Sequence, residues 1–131
     1  MADYDFGKQQ ENDLFSLIKE NFGNDIKQDT DKYAVFDFNN GKTFIELKSR
    51  RCNHDTYHDT MIGMNKVYKA KENPNNEYIF CFNFKDGLYY FKHSNDYKYN
   101  IRFSGRNDRS RDERKTYAFI PKEDLIPLRL P

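Results

Sequence analysis

The chain has 131 residues, 22 basic and 21 acidic, giving a formal net charge of +1, with 33% charged, 17% aromatic and a mean hydropathy of −1.07. That length suits one domain, residues 1–131, whose core must lean on 12 Phe and 10 Tyr, since there is no Trp. No apolar run nears membrane-spanning length, no signal peptide is visible, and two Cys without framework spacing fit a reducing, cytoplasmic setting, so membrane and secreted classes are set aside.

The near-zero charge hides an asymmetry. Residues 1–31 hold eight acidic side chains against Lys8, Lys19 and Lys27. Residues 48–71 hold Lys48, Arg50, Arg51, Lys66, Lys69 and Lys71 against Asp55 and Asp59. Residues 102–115 hold five Arg and Lys115 against three acids. Local patches of this kind matter for phosphate binding more than the total does.

In chain order, Gln9 to Phe22 reads as an amphipathic helix with Leu14, Phe15, Ile18 and Phe22 on one face and Gly23 as its stop. Glu11 lies on the edge of that face, where a first-turn acid is favoured by the helix dipole. Asp25 to Asp31 is polar, a short edge strand or a loop. Tyr33 to Lys48 reads as a hairpin turned by Asn40-Gly41, both tolerant of positive φ. In that register Asp37 lies opposite Phe44 and Val35 opposite Glu46. Alternation then puts Val35, Asp37, Phe44, Glu46 and Lys48 on one face, and Phe36, Phe38, Ile45 and Leu47 on the other. Two carboxylates and an ammonium converge among apolar neighbours, which costs several kcal/mol unless they pair or hold a metal.

Past the hairpin, Arg50 and Arg51 are placed to meet a nucleic-acid backbone. Cys52, His54 and His58 lack a fourth ligand at zinc spacing. Tyr57 to Glu72 is expected as a second helix, with Met61, Met64, Val67 and Tyr68 able to face a sheet and Asn73-Pro74 ending it. Glu77 to Phe84 is apolar on both faces and reads as a central strand. Asp86-Gly87 turns it into Leu88–Phe91, and Tyr99–Phe103 and Thr116–Ile120 read as further strands. The loop from Ser104 to Lys115 carries Arg106, Arg109 and Arg111, either as solvated ion pairs or as phosphate contacts. Pro121 to Leu128 is expected as a short helical tail.

Asp37 followed by Glu46-Leu47-Lys48 on the next strand resembles the signature of the PD-(D/E)XK nuclease superfamily, of the small phage or viral, Holliday-junction-resolvase-like kind. The leading helix, the hairpin, the following helix with Asn65-Lys66 and the returning strand extend the resemblance over most of the chain. Phe36 stands where the family's name has Pro, and Glu113-Arg114-Lys115 is a second Glu-x-Lys, in a charged loop without strand pattern. The resemblance implies an α/β fold, a central mixed sheet flanked by helices, with a restriction-endonuclease-like core. It implies Mg²⁺, with Mn²⁺ as a substitute, held by Asp37, Glu46 and the Leu47 carbonyl, and Glu11 as a further acid directed at that site. It also implies that Lys66 reaches substrate phosphate, and it allows a homodimer, since many such nucleases pair to cut both strands.

The expected activity is metal-dependent hydrolysis of DNA phosphodiester bonds, structure-dependent or weakly sequence-specific. A hard cation bound by carboxylates suits that chemistry. Lys48 would serve as base or as electrostatic anchor. The alternative is a nuclease-fold nucleic-acid-binding protein without catalysis; a purely structural domain would instead carry Asp37, Glu46 and Lys48 as a solvated cross-strand ladder.

Overall fold

The computed structural model describes residues 14–104 and 115–128. Residues 14–22 form helix α1. Its Ile18 is fully buried, Phe15 stacks on Phe38 at 5.4 Å, and Phe22 meets Tyr90 edge-on at 5.3 Å. Gly23 follows at φ 145°, with its N–H bonded to the Lys19 carbonyl at 2.9 Å, a conformation that favours glycine after a helix.

The strands are β1 (Lys27–Gln28), β2 (Phe38–Asn39), β3 (Thr43–Ser49), β4 (Asp59–Gly63), β5 (Glu77–Phe84), β6 (Gly87–Lys92), β7 (Asn100–Ser104), β8 (Lys115–Pro121) and β9 (Ile126–Pro127), with helix α2 (Met64–Glu72) between β4 and β5. Six of them make a mixed sheet in the order β1-β2-β3-β5-β6-β9, in which β3 and β5 are parallel and the other pairs antiparallel. Strand β5 is central, as its two-sided apolar sequence predicts. Ile79 and Cys81 join Ile18, Ile45 and Leu47 on the α1 side. Phe80 and Phe82 join Val67, Ala118 and Ile120 on the other. Burying each Phe, Ile, Leu or Val among these contributes roughly 1.5–3 kcal/mol, so this strand anchors both halves of the core.

Four expectations need correction. The hairpin register is displaced by two residues: Phe38 pairs with Ile45 and Asn39 with Phe44. The turn falls at Gly41-Lys42, because Asn40 Oδ1 accepts the N–H groups of Lys42 and Thr43 at 2.9 and 2.7 Å and Gly41 alone takes a positive φ of 88°. Glu46 and Lys48, two apart on β3, share a face whatever the register, and Asp37 joins them from outside the strand by accepting the Leu47 N–H. Phe36, however, sits with Phe44 and Tyr78, at 5.9 and 5.3 Å, not with Phe38. Residues 32–37 are turn and bend, so strand alternation does not govern them.

The helix expected from Tyr57 begins only at Met64. Thr60 and Ile62 are buried while Asp59, Met61 and Gly63 are partly exposed, which is strand alternation. Strand β4 pairs with β8, Thr60 opposite Ile120 and Ile62 opposite Ala118, in a second antiparallel sheet ordered β4-β8-β7. A partner almost sixty residues away supplies the hydrogen bonds that local spacing could not reveal. Tyr68 is accordingly exposed, and α2 buries Met64, Val67 and Ala70. The C-terminal segment has only a 3-10 turn, Lys122–Asp124, before β9 adds to the large sheet.

Candidate active site

Strand β3 presents Glu46 and Lys48 to the face covered by α2, and Asp37 arrives from the bend before β2. The Asp37 N–H donates to the Ile45 carbonyl at 3.0 Å, and its Oδ2 accepts the Leu47 N–H at 2.8 Å. The side chain thus completes a ladder that β2 is too short to continue. A residue's N–H and C=O point to the same edge of a strand, so the Leu47 carbonyl faces Asp37's edge and not β5.

Glu46 is 3% exposed. The Lys48 ammonium lies 3.3 Å from its Oε2 and the Lys66 ammonium, sent in from α2, lies 3.3 Å from its Oε1. Oε1 nevertheless has no hydrogen-bond partner, because Lys66 is close without being aligned and donates to the Val35 carbonyl instead. Burial first, then the negative charge of Asp37, push the Glu46 carboxyl up to about 7, against the lowering pull of Lys48 and Lys66. Burial and the facing acid thus outweigh the two ammonium groups, and Oε1, ion-paired but without an aligned donor, keeps a lone pair for a further cation.

Lys66 is largely covered, and its ammonium also lies 5.8 Å from the centre of the Phe36 ring. It belongs to the acidic cluster. Lys48 is 42% exposed and can reach both the cluster and solvent. Arg50 donates to the Met61 carbonyl at 2.7 Å and more weakly to Thr60 Oγ1 at 3.4 Å, while lying over Phe82. Burial pulls its pKa down, yet a guanidinium stays protonated. Arg51 and Lys69 are exposed. Glu11, Arg106, Arg109 and Arg111 lie outside the described residues.

A cleft of about 370 Å³ opens beside the cluster, lined by Lys48, Arg50, Gly63, Asn65, Lys66 and Tyr117 among others. Tyr117 went unnoticed in the sequence. It enters through the β4–β8 pairing, where it lies opposite Gly63, and no local pattern announces that. His54 is tied into the fold, stacked on Tyr89 at 4.0 Å with Nε2 2.9 Å from the Lys122 carbonyl oxygen. Among the described residues no three His, Cys, Asp or Glu side chains gather as a metal cluster. The donors at hand are two carboxylates and a backbone carbonyl, and Mg²⁺ is commonly bound by one or two carboxylates plus water and substrate oxygens. The residues therefore fit a hard divalent ion, Glu46 Oε1 being the atom most in need of one.

A mixed sheet between helices, with an acidic pair and two lysines on one sheet face, is an α/β fold of the restriction-endonuclease-like kind. The family model described as "Phage putative PDDEXK endonuclease" matches residues 7–122, and the chain belongs to that family. No curated protein and no solved structure matches it.

Proposed function

We propose that the protein is a divalent-metal-dependent endonuclease that hydrolyses DNA phosphodiester bonds, with Mg²⁺ as the working ion and Mn²⁺ as a substitute. One observation carries this reading: Glu46, buried and with Oε1 unbonded, beside Asp37 and two lysines at 3.3 Å. A solvated ion-pair ladder would not bury its acid, and Oε1, which no donor aligns with, is open to a cation.

In this reading Asp37, Glu46 and the Leu47 carbonyl hold the ion, and Glu11 stands as a further acid from the leading helix. The bound ion supplies an acidified water and neutralises charge on the phosphate. Lys48, half in solvent and paired with Glu46, holds the attacking water or takes its proton. Lys66, beside Glu46 and lining the same cleft, would contact phosphate. Arg50 fixes the floor between β3 and β4, and Arg51, Lys69 and the arginines at 106, 109 and 111 add backbone contacts. Among the described residues the cleft offers lysines, an arginine and a tyrosine, a lining that suits structure-dependent or weakly specific cutting.

The test is incubation with supercoiled plasmid, single-stranded DNA and a four-way junction in Mg²⁺, Mn²⁺ or EDTA. Cleavage in either metal and none in EDTA is expected. Salt-sensitive binding without cleavage of any substrate would replace the enzyme by a binding module of the same fold.

A further inference from the structure

A second cleft, of about 340 Å³, lies on the far side of Arg50 and Met61, which line both clefts. Its character differs. Tyr57, Phe84 and Phe119 supply aromatic wall, and Asp59 supplies an acceptor. The walls are held from behind: the Arg102 guanidinium stacks 3.6 Å from the centre of the Phe119 ring and pairs with Asp59. Arg50 is pinned by the Met61 carbonyl. Tyr57 is 66% exposed, a large aromatic left in solvent beside a preformed apolar recess. Recesses of a few hundred Å³ with apolar walls and a few fixed polar groups are the usual form of small-ligand sites.

A nucleotide is a charged phosphate joined to a flat aromatic base, and the two clefts divide in the same way. One is lined by Lys48, Lys66 and Arg50; its neighbour across a shared wall is aromatic and has Asp59 neutralised by Arg102. We propose that the second cleft is a subsite for an unpaired nucleobase flanking the phosphate held at the first. A base inside a duplex offers no free face, whereas one in a single strand, gap or junction stacks on an aromatic side chain without needing a sequence code. Tyr57 and Phe119 supply the stacking surface, and Asp59 accepts from an exocyclic amino group. This rests on the nuclease reading and makes it more specific: the cleft selects DNA with unpaired bases.

The test is equilibrium binding in EDTA, where cutting is absent, of a mixed-sequence single strand, the same strand with abasic sites, and its duplex. Wild type is expected to prefer the intact single strand over both others. Tyr57→Ala should weaken the intact strand by about fivefold to a hundredfold, the range for one lost stacking contact, and leave duplex and abasic affinities within error. Tyr57→Phe should restore it. Its exposure makes Tyr57 a safe position to change, and an unaltered unfolding transition checks this. Binding of the intact strand that Tyr57→Ala leaves unchanged, or weakens equally for the duplex, overturns the base subsite alone. No binding of any DNA, with no cleavage in Mg²⁺ or Mn²⁺, overturns the nuclease reading with it.

Discussion

Glu46 is where the cost of this site concentrates. Its folded carboxyl titrates near 7, above the ordinary 4.5, so the folded chain binds this proton more tightly than the unfolded chain does. Stability from this residue is therefore fully present below the unfolded value and is lost as pH rises through about 7. The loss is on the order of 3 kcal/mol. Urea unfolding in EDTA should show wild type losing stability over that window relative to Glu46→Gln, which carries no such proton; parallel profiles would remove Glu46 from this role. Lys66 works in the opposite sense, since its ammonium lowers the Glu46 pKa. Lys66→Met should destabilise the metal-free protein at pH 8 by about 3 kcal/mol, as for breaking a buried pair. Most of that should return in Lys66→Met with Glu46→Gln. A single variant as stable as wild type would mean the pair is not buried in solution. Glu46 and Lys48 were legible in the sequence because alternation along β3 puts them on one face, and Asp37 because the Asn40-Gly41 turn folds it back beside them. Lys66 was visible as a residue, but its contact with Glu46 depends on how α2 crosses the sheet, which no spacing in β3 encodes.

Among the elements, the hairpin was readable and its register was not. Asn40-Gly41 marks the turn correctly, yet Asn40 uses its side chain to cap Lys42 and Thr43, and this moves the tip by one residue. The acid face survived because Glu46 and Lys48 are two apart on β3 and Asp37, in the bend before β2, bonds the Leu47 N–H between them. Gly41 holds φ 88° in open space, with nothing within 4 Å of where a Cβ would stand, so Gly41→Ala meets no clash, only backbone strain. It should cost about 1 kcal/mol, read as a lowered urea midpoint; a neutral result would place the turn elsewhere. Residues 57–63 show the opposite case. Met61, Met64 and Val67 satisfy helical spacing while Thr60 and Ile62 satisfy strand alternation. The decision falls to β8, a partner absent from any local window. The central strand β5 raised no such conflict, because Tyr78 to Phe82, buried and apolar on both faces, have only one comfortable place in a sheet.

Taken whole, the molecule is nearly neutral and still gathers lysine and arginine around one cleft. DNA affinity should fall steeply with salt, and Arg51→Ala with Lys69→Ala should reduce the slope by about one for each phosphate contact removed. An unchanged slope would remove both residues from the DNA contact. Whether Asp37 and Glu46 hold a catalytic ion is decided by Asp37→Asn. Asparagine keeps an oxygen for the Leu47 N–H that Asp37 now accepts at 2.8 Å, so the local ladder survives while one negative charge is removed. Cleavage of plasmid and junction by both proteins should be followed across a Mg²⁺ series, with DNA affinity measured in EDTA. Wild type should cut in Mg²⁺ and not in EDTA, and Asp37→Asn should cut slower by orders of magnitude while binding DNA as well or better. Equal cleavage by the two proteins, or cleavage by wild type undiminished in EDTA, would contradict the account.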